Sequence, residues 1–97
     1  MYLLSLSAGG LSLEFAEAEF GEVKARLVAA ARDRGLTPKL AIDRGATLHT
    51  LRLGGEAFTL SFDDGDPCLI ASGAVAEALL RAAVEQPDGR RQSLAAE

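Results

Sequence analysis

The sequence predicts an α+β fold: a two-layer sandwich in which an antiparallel sheet of about five strands carries two helices on one face. Three observations lead there. Short alternating segments are joined by glycine-rich turns, as in antiparallel hairpins. Two longer segments carry apolar residues at three- and four-residue spacing, as amphipathic helices do. The order of these segments is β-β-α-β-β-β-α.

The first fifteen residues read as a hairpin around Ala8-Gly9-Gly10. A two-residue turn at Ala8-Gly9 sets Leu6 opposite Leu11, Leu4 opposite Leu13 and Tyr2 opposite Phe15. A turn at Gly9-Gly10 keeps the same apolar set together. A three-residue loop sets apolar residues opposite polar ones, and the expected register avoids it.

From about Glu17 to Arg34 the stripe Phe20, Val23, Leu27, Ala30 and Ala31 predicts the first helix. Glu17, Glu19 and Glu22 open it, and Arg32 and Arg34 close it, in the order that the helix dipole favours. Gly35 suits the position past its end, and Pro38 blocks continuation. A convincing N-cap residue is missing.

A meander follows. Leu40 and Ile42 alternate with Lys39 and Ala41, Asp43 to Ala46 is a turn, and Thr47–Leu53 and Glu56–Phe62 flank Gly54-Gly55. Two-residue turns at Arg44-Gly45 and Gly54-Gly55 place Leu40, Ile42, Leu51, Leu53, Phe58, Leu60 and Phe62 on one face. After the acidic stretch Asp63-Asp64-Gly65-Asp66, two readings compete. Either Asp66-Pro67 starts a helix at once, or Cys68 to Ala71 is a short strand and Ser72 caps a helix from Gly73. The second is preferred, because a glycine inside a helix costs about 1 kcal/mol. Val75, Leu79, Leu80, Ala83 and Val84 make that helix amphipathic. Pro87-Asp88-Gly89 ends it, so residues 1–89 are read as one domain and 90–97 as a polar tail.

Composition limits the function. The chain has 97 residues, 48% hydrophobic and 25% charged. That suits one globular domain with a single core and excludes a disordered chain. Apolar runs are too short to span a bilayer, the start lacks the basic region of a signal peptide, and one cysteine cannot form an internal disulfide. A cytoplasmic protein with no membrane association is expected. Arginine far outnumbers lysine and alanine plus leucine dominate, the signature of a GC-rich, bacterial coding bias.

The net charge of −4 is arranged in blocks. Glutamates cluster in residues 14–22, basic residues in 24–52 and acids in 56–66. Such a balance disfavours a general nucleic-acid binder, and no aromatic residue interleaves the basic block. An accessory role with nucleic acid through the basic helix face remains a third reading.

Candidate chemistry is sparse, and neither a cofactor nor a metal is expected. His49, the only histidine, could act as a general base, but the simpler reading is a sheet-margin imidazole bonded to backbone, with Asp43 the sole acid near it. Cys68 matches no nucleophile signature and reads as an inert thiol. Asp63, Asp64 and Asp66 could hold a cation through oxygen ligands, yet their spacing is not that of an EF-hand, and a solvated loop explains them. The glycines lie at turns and form no phosphate-binding loop. A small enzyme or metal-dependent protein built on His49, Cys68 and the aspartates is the second reading.

The favoured reading is a non-catalytic interaction or homodimeric module. On the expected register the outer sheet face carries Leu3, Ser5, Ser7, Ser12, Glu14, Ala41, Leu48, Thr50, Arg52, Ala57, Thr59 and Ser61. Few of these are charged, and a face that meets only water usually carries more charge. Ser5, Ser12, Thr50, Arg52, Thr59 and Ser61 are therefore the candidate contact residues, for a second copy of the chain or another protein.

Overall fold

The computed structural model describes residues 1–62 and 66–85. Strands β1 (Tyr2–Ser5) and β2 (Leu11–Glu14) precede helix α1 (Phe20–Asp33). Strands β3 (Leu40–Asp43), β4 (His49–Leu53), β5 (Glu56–Ser61) and β6 (Cys68–Ala71) precede helix α2 (Ala74–Glu85). They form one antiparallel six-stranded sheet in the order β1-β2-β6-β5-β4-β3. The expected α+β sandwich is therefore present with six strands instead of about five. The sixth is Cys68–Ala71, the preferred of the two readings of that segment; it lies between β2 and β5 and leaves Gly73 ahead of α2.

The helices cover one face. Val23, Leu27, Ala30 and Ala31 of α1 and Ala76, Leu79, Leu80 and Ala83 of α2 are buried against Leu11, Leu13, Phe15, Leu51, Leu53, Phe58, Leu60, Leu69 and Ala71. The helices pack on each other, and the Arg26 guanidinium of α1 donates to the Ala83 carbonyl near the end of α2, at 3.1 Å. That bond satisfies one of the carbonyls a helix end leaves open. Two stripe assignments change: Val75 turns outward and Ala76 takes its place inside. Phe20 is half-buried at the start of α1.

The missing N-cap has a substitute. A short 3₁₀ turn, Glu17–Glu19, leads into α1, and the Glu19 carboxylate reaches back to accept the Ala16 N–H at 2.8 Å. The same carboxylate pairs with the Met1 ammonium at 3.2 Å. The Ala16 N–H first, and the ammonium second, hold Glu19 below the ordinary glutamate range. A depressed folded value means stabilisation that is present above the unfolded pKa, about 4.3, and lost as pH falls through the folded value. Glu19→Gln is therefore expected to lower the melting temperature at pH 7, with the difference shrinking as pH falls through the depressed folded value. An offset that does not shrink would show that the carboxylate's charge is irrelevant there.

Two turns set the registers. Gly54 and Gly55 both have positive φ, at 60° and 83°, as a two-residue hairpin turn requires. Leu51 therefore lies opposite Phe58 and His49 opposite Leu60, as expected. The first hairpin differs. Leu3 pairs with Leu13, Leu4 with Ser12 and Ser5 with Leu11. The chain turns through the three-residue loop Ser7-Ala8-Gly9, closed by Gly9 N–H to Leu6 O and Leu6 N–H to Gly10 O. A two-residue turn at Ala8-Gly9 would force Ala8 to positive φ, whereas the longer loop places the left-handed residues at Gly9 and Gly10, with φ of 95° and 102°. Gly10 also passes so close to the Ala71 carbonyl that a Cβ would lie 2.9 Å from it.

The β3–β4 connection is longer than a two-residue turn as well. Leu40 pairs with Leu53 and Ile42 with Leu51. The shift is by an even number of positions, so both stay on the helix side, and Leu48 falls in the connection.

Candidate functional site

The registers place every strand residue on a face. One row crosses all six strands on the helix-free side: Leu4, Ser12, Ile70, Thr59, Thr50 and Asp43. A second holds Tyr2, Glu14, Cys68 and Ser61. The helix side holds Leu3, Leu13, Leu69, Leu60 and His49 in one row.

This arrangement corrects the expected contact surface. Thr50, Arg52 and Thr59 lie on the helix-free face, but Ser5 pairs with Leu11 and so points to the helix side, as does Leu3. Ser12 and Ser61 face outward yet are only 2% and 7% exposed. The Ser12 hydroxyl is moreover spent internally, donating to Glu14 Oε2 at 2.6 Å. Arg52 pairs with Asp43 at 2.6 Å, an exposed ion pair worth at most about 1 kcal/mol.

In place of Ser5 and Leu3, the one-residue change of register turns Tyr2 and Leu4 outward, with exposures of 55% and 47%, and Leu6, just beyond the strand, is 36% exposed. They stand on β1, an outermost strand. Among the described residues nothing pairs with its outer side. A ladder alternates inward- and outward-directed peptide groups. Leu6 bonds inward to Gly10, so Leu4 and Tyr2 bond inward too, and the N–H and C=O groups of Leu3 and Ser5 face outward. No charged side chain occurs in residues 1–13. The opposite edge strand, β3, is flanked by Pro38, Lys39 and Arg44 and ends on Asp43, the usual devices that keep an edge from pairing.

Among the described residues, the polar site considered in the sequence is not assembled. His49 and Cys68 belong to rows on opposite faces of the sheet. Cys68 is half-buried, and Asp66 is exposed. Asp63 and Asp64 lie outside the described residues, as do Pro87 to Gly89 and the tail 90–97. Among the described residues no three His, Cys, Asp or Glu side chains converge. His49 Nδ1 accepts the Gly45 N–H at 3.2 Å, and Asp43, its expected neighbour, is bonded to Arg52 instead. The basic helix face is also thinner than expected. Arg26 is engaged with Glu22 and Ala83, and the Lys24 ammonium sits 4.7 Å above the Phe20 ring. No described helix is long and apolar enough to cross a membrane.

A cavity of about 200 Å³ opens at the end of the sheet where α1 begins, lined by Phe20, Ile42, Arg44, His49, Leu60 and Phe62. Phe20 stacks on Phe15 at 5.7 Å and meets Phe62 edge-on at 5.6 Å, and the His49 ring lies 6.0 Å from Phe62. Of these residues the sequence points to His49 and, within the basic block, Arg44, but not to the apolar walls. Phe20 and Phe62 are far apart in the chain, and only the tertiary contact between the start of α1 and the residue just past β5 joins them.

Compared with known proteins, the chain matches no family model, no curated protein and no solved structure.

Proposed function

We propose that this chain is a protein-interaction module that works as a homodimer, two copies joining edge to edge through β1. The observation that carries the reading is the exposed trio Tyr2, Leu4 and Leu6 on an outermost strand whose outer peptide groups have no described partner. An uncharged apolar edge is a template for another strand, and backbone pairing with alternate side chains is a common way to bind one. A second copy of β1 supplies a matching occupant. An antiparallel pairing about a two-fold axis joins residues of like parity, so apolar Tyr2, Leu4 and Leu6 meet their own kind. Helices of both copies then lie on the same side of one continuous sheet.

A contact built on a single strand lies at the low end of interface sizes, below about 1,200 Å². Micromolar association is therefore expected, with mass rising with concentration. Light scattering tests it: the chain alone is 10.1 kDa, and the expected limit is twice that. A strictly monomeric mass at high micromolar concentration removes the reading.

A further inference from the structure

We propose that the cavity at the α1 end of the sheet binds a small carboxylate with an apolar, ring-sized body. Three features support this occupant. Its volume of about 200 Å³ exceeds the roughly 150 Å³ that suffices for benzene in an apolar cavity. Its walls are mostly hydrocarbon: Phe20, Ile42, Leu60 and Phe62.

Its two polar residues are both hydrogen-bond donors. His49 Nδ1 is taken by the Gly45 N–H, which leaves the neutral ring's proton on Nε2. Arg44 makes no ion pair among the described residues, and its neighbour Asp43 pairs with Arg52 instead. Lys24, over the Phe20 ring, adds a further positive charge beside the same wall. Donors and cations with no acid paired to them among the described residues favour an anion, and a planar guanidinium suits a carboxylate in particular. The ring would rest on Phe20 and Phe62, and the carboxylate would accept from Arg44 and His49 Nε2.

The experiment is an NMR titration of the isotope-labelled chain with sodium benzoate, with benzamide as the uncharged control. Saturable shifts are expected at Ile42, Arg44, His49 and Leu60, with millimolar or tighter affinity, as suits so small a ligand. Benzamide, and benzoate with the Arg44→Gln protein, are expected to bind roughly tenfold more weakly, since charge-assisted bonds are the stronger kind. Absence of saturable shifts at these residues overturns the proposal. So does an equal response to benzamide, which needs no variant, or an unchanged affinity in Arg44→Gln.

Discussion

Leu4→Arg is expected to give a folded protein that stays monomeric at concentrations where the parent dimerises. Leu4 is nearly half exposed, so the folded monomer loses little. In the dimer the consequence is larger. The outward groups belong to Leu3 and Ser5, and the pairing that uses most of the strand joins Leu3 to Ser5 of the second copy. That register sets Leu4 against its own counterpart on the two-fold axis and Tyr2 against Leu6. Two arginines would then sit directly opposite, replacing an apolar pair with like charges. Dimer affinity is expected to fall tenfold or more, read by light scattering across a concentration series.

The same geometry admits a positive test. A directly opposed pair whose peptide groups point away has Cα atoms about 4.5 Å apart, inside the roughly 4.4–6.8 Å span of a disulfide. In a Cys68→Ser background, Leu4→Cys should therefore cross-link to itself on mild oxidation. Tyr2→Cys should not, but should cross-link when mixed with Leu6→Cys. A dimeric parent whose Leu4→Cys form fails to cross-link would reject this register, whereas a monomeric parent would reject dimerisation itself.

Leu27→Ala is expected to cost about 3–5 kcal/mol, the range for emptying a leucine-sized site in a tight core. Leu27 is fully buried on the inner face of α1, within the core of sheet and helices. Domains of this kind are typically stable by only about 5–15 kcal/mol, so the loss is a large share of the total. Urea denaturation should show a much lower midpoint at an unchanged slope. A loss below about 1 kcal/mol would mean that α1 does not seal the sheet at this point.

Much of the architecture is legible in residue order, because it rests on local rules. Gly54-Gly55 can turn the chain in two residues, so the pairing of Leu51 with Phe58 follows from counting. The stripe Val23, Leu27, Ala30 and Ala31 has one spacing and one buried side. Cys68–Ala71 is short and apolar, and Gly73 after it argues against an earlier helix.

The site was less legible. Tyr2-Leu3-Leu4-Ser5-Leu6 carries leucine on both sides of the strand, so alternation alone cannot choose a face for it. The positive φ at Gly9 and Gly10, and the close passage of Gly10 by Ala71 of a strand sixty residues away, make the choice. A signal was present in the chain: a run of thirteen residues without a charged side chain is unusual for a strand that ends at an edge, but which strand is an edge is a property of the whole sheet. The cavity depends in the same way on Phe20, at the start of α1, meeting Phe62, just past β5. Strand spacing, helix stripes and tight turns are thus settled by neighbours in sequence, where steric and hydrogen-bond rules act over a few residues. Which edge stays open, which face of an ambiguous strand is wet, and which donors share a hollow are settled only when distant segments pack.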